Sequence, residues 1–117
     1  MNAIRNPYVD AIGHPTGRLI GKRKPYAVNL EEIFTAAADY GCCMELNCQP
    51  SRLDLDEIAL ASAKEHGVKI VLGTDAHSTE ELRFMDGVYQ ARRGGLETKD
   101  VLNSSSVVEF RRFIRSK

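Results

Sequence analysis

Asp75 and His77 stand one residue apart in Gly73-Thr74-Asp75-Ala76-His77-Ser78, a carboxylate and an imidazole that could share one metal ion. In an extended segment such a pair projects to the same side, with Cα atoms about 7 Å apart. The preceding Val68-Lys69-Ile70-Val71-Leu72 is rich in β-branched residues, and a helix-start signature follows the motif. The pair therefore falls where a strand ends, the edge at which open α/β folds and βα barrels carry their chemistry. Two polar residues at a strand end are also the ordinary makings of a turn and a helix cap. Spacing alone leaves both readings open.

The elements that must position this pair follow from periodicity and caps. Tyr8 to Ile12 reads as a short strand running into the glycine-punctuated loop Gly13-His14-Pro15-Thr16-Gly17-Arg18. Asn29 with Glu32 forms a capping box for a helix bearing Leu30, Ile33, Phe34, Ala37 and Ala38, closed by Gly41. Cys43 to Asn47 reads as a second strand. Asp54 with Glu57 repeats the capping box ahead of Leu55, Ile58, Ala59 and Ala61, and Gly67 ends that helix. Val68 to Leu72 is the third strand. Ser78 with Glu81 caps a third helix through Leu82, Met85, Val88 and Tyr89, with Arg92 and Arg93 in its last turn and Gly94 as its stop. Beyond Gly94, Thr98 to Leu102 suggests one helical turn. Ser106 with Glu109 then starts a last helix that sets Val107, Phe110, Phe113 and Ile114 against Arg111, Arg112 and Arg115, and packs across the outside of the sheet.

Three strand-helix units in succession make a parallel sheet through right-handed crossovers. All strands then end on one edge. Topology alone brings His14, Asn47, Asp75 and His77 to a common rim. Two imidazoles and a carboxylate suit zinc, manganese or iron with positions left open, and such an ion makes a hydroxide nucleophile from water near neutral pH. The plainer alternative is a loop histidine bonded to backbone and an aspartate that forms a turn. Asn47 at the edge can position substrate or a metal-bound water, or simply form a turn. Glu45, two residues earlier on the same face, would need a partner such as Arg18 or Arg52. Arg18, Lys22, Arg23 and Lys24 make the densest basic run, which suits a phosphate or a nucleic-acid backbone and equally a solvated loop. His66, one residue before Gly67, is read as a partner of a helix C-terminus.

Bulk properties narrow the class. The 117 residues are 43% hydrophobic and 27% charged, which suits one globular domain with a real core. Sixteen basic side chains balance sixteen acidic ones, so no global field draws the chain to nucleic acid or membrane. No apolar run approaches the ~20 residues that span a bilayer, and the first residues do not read as a signal peptide, so a cytoplasmic location without membrane contact is expected. Cys42, Cys43 and Cys48 lack metal spacing and read as buried small hydrophobes.

Gly13-His14-Pro15-Thr16-Gly17-Arg18, Glu45-Leu46-Asn47 with Arg52-Leu53-Asp54-Leu55, Thr74-Asp75-Ala76-His77-Ser78 and Asp100-Val101-Leu102-Asn103 occur in the order of the PHP (polymerase and histidinol phosphatase) domain. The chain resembles the C-terminal part of that domain, most closely the one in bacterial family X DNA polymerases. The resemblance implies an α/β fold: about the C-terminal half of a distorted seven-stranded βα, TIM-like barrel, as βαβαβα plus terminal helices. It also implies a cluster of divalent metal ions, manganese, zinc or iron, serving a phosphoesterase. In the polymerase setting the activity is a 3′-5′ exonuclease or 3′-end processing on DNA. A histidinol-phosphatase-like phosphomonoesterase acting on a small phosphate ester is the alternative. By motif, His14 corresponds to the histidine ligand of G-H-P, and Asp75 and His77 to the closing D-x-H pair.

The family's first motif is an H-x-H pair, and the histidines here are His14, His66 and His77. The resemblance therefore covers the last three βα units, without the N-terminal strands and their ligands. Two expectations follow. The isolated chain is catalytically silent, a structural or interaction piece of an active parent; and the edge strands beside the missing units are unpaired, favouring self-association.

Overall fold

The structure, a computed structural model, describes residues 1–115, the side chain of Arg115 excepted. A short helix, α1 (Asn2–Arg5), precedes three parallel strands, β1 (Ala11–Ile12), β2 (Cys43–Asn47) and β3 (Ile70–Gly73), which lie in the order β1-β2-β3. Ala11 pairs with Cys43 on one side of β2, and Met44 through Asn47 pair with Ile70 through Gly73 on the other. β2 is as expected to the residue; β1 and β3 each start later than their apolar runs. The seven-stranded barrel stands as an expectation beside this small sheet.

Period-two alternation in β2 divides the molecule. Met44, Leu46 and Cys48 are fully buried in a core with Phe34 and Ala37 of α2 (Leu30–Tyr40) and Leu60 and Ala63 of α3 (Glu57–Glu65). Cys43, Glu45 and Asn47 take the opposite face. All three cysteines are buried thiols outside any disulfide, and burial pushes the Cys48 thiol above its ordinary pKa, which keeps it a neutral core residue.

The caps are partly those expected. Asn29 accepts from the Glu32 amide at 3.2 Å, and Gly41 ends α2 at φ +68°. His66 closes α3, its ring nitrogen 2.7 Å from the Ser62 carbonyl. The second capping box is a correction: Asp56, not Asp54, caps α3 and accepts from the Ala59 amide at 2.8 Å. Asp54 is fully buried and accepts from the amides of Thr16, at 3.0 Å, and Gly17, at 2.9 Å. The Thr16 amide, and the Gly17 amide that is shared with the His14 carbonyl at 2.9 Å, outcompete a helix terminus for that carboxylate.

The third helix is also corrected. A 3-10 turn spans Glu80–Arg83 and a separate α4 spans Gly87–Arg93. Ser78 still donates to Glu81, at 3.2 Å. The break brings Gly87 against the sheet, where a Cβ would stand 2.3 Å from the Cys48 sulfur.

After α4, 3-10 turns at Thr98–Asp100 and Leu102–Ser104 run beside β3, and Val101 bridges to Ile70. Asn103 completes the contact: its Oδ1 accepts from the Leu72 amide at 2.7 Å and its Nδ2 donates to the Leu72 carbonyl at 3.0 Å. A side-chain amide thus replaces a strand neighbour, so the expectation of open edges is corrected at β3 and retained at β1. In α5 (Val107–Arg115) the reciprocal Ser106 and Glu109 bonds form as expected. Its apolar side is only partly covered: Phe113 and Ile114 are half-buried, whereas Val107 and Val108 are 71% and 64% exposed. No helix among the described residues is long and apolar enough to cross a membrane.

Candidate metal centre at the strand ends

β3 delivers Asp75 into a left-handed conformation, φ +51°, which is uncommon outside glycine and is tolerated best by short polar residues. Its Oδ2 accepts from Asn47 Nδ2 at 3.1 Å and lies 3.8 Å from Arg52 Nε. Both partners come from the β2 side, so strand pairing sets where this carboxylate stands. Asn47 is 1% exposed, and its Oδ1 accepts from the Gln49 amide at 3.0 Å. Both ends of its amide are therefore engaged by protein groups.

His77 is exposed, with Nδ1 2.8 Å from the Asp75 carbonyl. A carbonyl oxygen can only accept, so Nδ1 carries the proton and Nε2 of the neutral ring keeps its lone pair. Metal-bound imidazoles are commonly oriented in this way.

Gln49, unassigned by sequence reasoning, ties the loop together. Its Nε2 donates to the carbonyls of Thr74 and Asp75 at 2.9 and 2.8 Å, and to Glu81 Oε1 at 2.7 Å. The Gln49 bond holds the Glu81 carboxyl below its ordinary pKa, with smaller help from Ser78 and His77 against a desolvation cost. The alternation Glu45, Asn47, Gln49 was the available signal for it.

His14 takes φ +24°, and its backbone amide donates to Glu45 Oε1 at 2.8 Å. Its exposed ring makes no hydrogen bond among the described residues. Glu45 thus takes a backbone partner and not Arg18 or Arg52. The Arg18 guanidinium donates to the carbonyls of Arg52 and Leu53. Arg23 donates to the Gly17 carbonyl at 2.8 Å and lies 5.8 Å from the Tyr26 ring centroid. Both arginines build the loop, and Lys22 is left exposed.

The structure brings Asp75, Asn47, Arg52, Gln49 and His77 together. Among the described residues, no three His, Cys, Asp or Glu side chains cluster closely enough to hold an ion. His14, Asp75 and His77 are donors of types that suit a divalent metal, but the structure does not gather the three into one set.

No protein-family model matches the chain. It is 44% identical over 114 residues to the DNA polymerase/3'-5' exonuclease PolX of Bacillus subtilis, covering 97% of this chain and 20% of that protein. It is 33% identical over 124 residues to a probable phosphatase of Thermoanaerobacter sp., covering 48% of it, and 32% identical to one of Caldanaerobacter subterraneus, covering 46%. The chain is homologous to part of each. It spans a fifth of the first protein's length and about half of the phosphatases'.

Proposed function

We propose that this chain is the C-terminal segment of a PHP-type, metal-dependent phosphoesterase domain, folded in its parent as part of a βα barrel. His14, Asp75 and His77 would be three of the metal ligands. The observation that carries the reading is His77, held through Nδ1 by the Asp75 carbonyl so that Nε2 keeps its lone pair, on the same loop as an Asp75 carboxylate oriented by Asn47. Manganese or zinc bound there would supply a hydroxide nucleophile and polarise a phosphoryl oxygen. The chain's own part is to fix donor positions. Asn47 acts through Asp75, and Lys22, with Arg18 and Arg23 shaping its loop, offers charge to a phosphate. The substrate class is a phosphodiester, with a 3′ end of DNA favoured by the 44% identity to a polymerase/exonuclease. A small phosphomonoester is the second reading, supported by the probable phosphatases.

The test grafts this chain into the Bacillus protein in place of the segment it matches. Metal-dependent 3'-5' exonuclease activity is expected, and alanine at Asp75 or His77 should abolish it. Undiminished activity in both variants rules the ligand reading out. Catalytic silence of the isolated chain predicts no hydrolysis of a generic phosphodiester with added manganese or zinc.

A further inference from the structure

The strand beside both candidate ligand loops carries a row of polar side chains on one face, and each reaches outward to a neighbouring strand end. Glu45, Asn47 and Gln49 occupy alternate positions, on the opposite side of β2 from Met44, Leu46 and Cys48. β1 and β3 flank β2 in parallel, and each leads into a loop with a non-glycine residue at positive φ, His14 at +24° and Asp75 at +51°. Such conformations persist only where the surroundings hold them.

We propose that Glu45 and Gln49 are positioning residues, which respectively hold the His14 loop and the Asp75–His77 loop to the central strand and so set the spacing of the two. Glu45 does this across the sheet: Oε1 accepts the His14 amide at 2.8 Å. Its strand neighbours leave it the space. A Cβ on Gly73 would lie 2.7 Å from Glu45 Oε2, and one on Gly13 3.7 Å from Oε1. The carboxylate therefore sits in a cradle made by two residues without side chains, one from each flanking strand end.

Gln49 does the same on the other side with more bonds. One amide nitrogen faces three acceptors, the Thr74 and Asp75 carbonyls and Glu81 Oε1, and shares two protons among them. The Asp75 carbonyl it engages is also the one that fixes His77 Nδ1. The Gln49 backbone amide meanwhile holds Asn47 Oδ1, which leaves Asn47 Nδ2 directed at the Asp75 carboxylate. The Gln49 side chain thus governs the Asp75 backbone and, through the shared carbonyl, His77 Nδ1, while the backbone amide at position 49 orients Asn47 whatever side chain stands there. Neither Glu45 nor Gln49 is needed as a ligand in this arrangement. The functional meaning of the spacing rests on the reading of His14, Asp75 and His77 as metal ligands.

The test is solution NMR on the full 117-residue chain, comparing wild type with Gln49→Leu, Glu45→Leu and Glu45→Gln. Backbone residual dipolar couplings report the two loops, and imidazole nitrogen shifts of neutral His77 report its tautomer. Gln49→Leu should change the couplings of Thr74 and Asp75 and move His77 from the Nδ1–H form toward the Nε2–H form, with the His14 loop unchanged. Glu45→Leu should alter His14 and leave Asp75 and His77 as they were, and Glu45→Gln, which still offers an acceptor, should restore the wild-type couplings. Unchanged His77 tautomer and Asp75 couplings in Gln49→Leu would overturn the inference. So would changes spread evenly through Cys43 to Asn47 in either leucine variant, which mark general loosening. Paramagnetic broadening by Mn²⁺ in wild type separates the underlying reading: broadening that spares His14, Asp75 and His77 defeats their ligand role, while the couplings and tautomer judge the positioning.

Discussion

Removing the Asp54 carboxylate should uncouple the loop that carries His14 from the loop that leaves β2. Asp54 is fully buried and accepts from the amides of Thr16 and Gly17 at 3.0 and 2.9 Å, while its own backbone exchanges hydrogen bonds with Asn47. In Asp54→Ala two buried amides lose a charged acceptor and, among the described residues, only that of Gly17 keeps another, the His14 carbonyl at 2.9 Å. Bonds to charged groups contribute about 1.5–3 kcal/mol each, and relief of the carboxylate's own desolvation returns part of that. A net loss of about 3 kcal/mol follows, a large fraction of the roughly 5–15 kcal/mol available to a domain. At this chain length that lowers the melting temperature by about 12 °C, taking roughly 4 °C per kcal/mol. Asp54→Asn keeps one acceptor and should lose about half as much. The Thr16 hydroxyl supplies an internal control, because it is buried with no hydrogen-bond partner among the described residues. Thr16→Val removes an unpaired polar group at constant shape and should be neutral or stabilising by up to about 1 kcal/mol. Circular dichroism melts and urea titrations measure all three. An Asp54→Ala loss below about 1 kcal/mol, or a Thr16→Val loss as large as that of Asp54→Ala, would refute the reasoning.

Gly87→Ala forces a methyl group to within 2.3 Å of Cys48 and should cost about 1–3 kcal/mol by urea titration, with Cys48→Ala in the same chain recovering part of it. Glu81 is held below the ordinary carboxylate value of 4.5, chiefly by Gln49. At Asp100 burial pushes the pKa up, but the Glu97 amide and Lys64 outweigh it and leave it below 3.8. A lowered folded-state pKa gives stability that is present above the unfolded value and lost as pH falls through the folded one. Urea midpoints should therefore drop as pH falls below about 4.5, and less steeply in Gln49→Leu and Lys64→Met; parallel pH profiles would contradict this. Sedimentation at rising concentration should show self-association through the outer edge of β1, and a clean monomer at high concentration counts against it.

How far the fold was legible depended on whether local and distant demands on a residue agreed. β2 was read to its ends because five consecutive residues alternate between a core and a polar face that are both filled. Asn29 and Ser106 were recoverable as caps because nothing distant competes for their side chains. Asp54 failed as a cap because the Thr16 and Gly17 amides, far away in sequence, claim it, and the next aspartate, Asp56, was close enough to serve. The third helix broke for a similar reason, since the approach of Gly87 to Cys48 is a tertiary contact that helical periodicity does not encode. At the candidate site the ligand types and their strand-end location were readable, while the hold on them was not. Gln49 is an ordinary polar loop residue in sequence, and only the folded β3 loop gives its amide three acceptors.

Asn103 bears on how the chain can associate. With the Leu72 amide and carbonyl both occupied by one side chain, the sheet has, among the described residues, a single edge left to add to, at β1. A protein open at both edges can stack copies head to tail without limit, the geometry of filaments. One open at a single edge has only a self-matching contact available, in which two copies meet about a two-fold axis and the growth stops. By that geometry Asn103, together with the Val101 bridge to Ile70, converts a route to fibres into a closed pair, and Asn103→Ala uncovers the Leu72 part of the second edge.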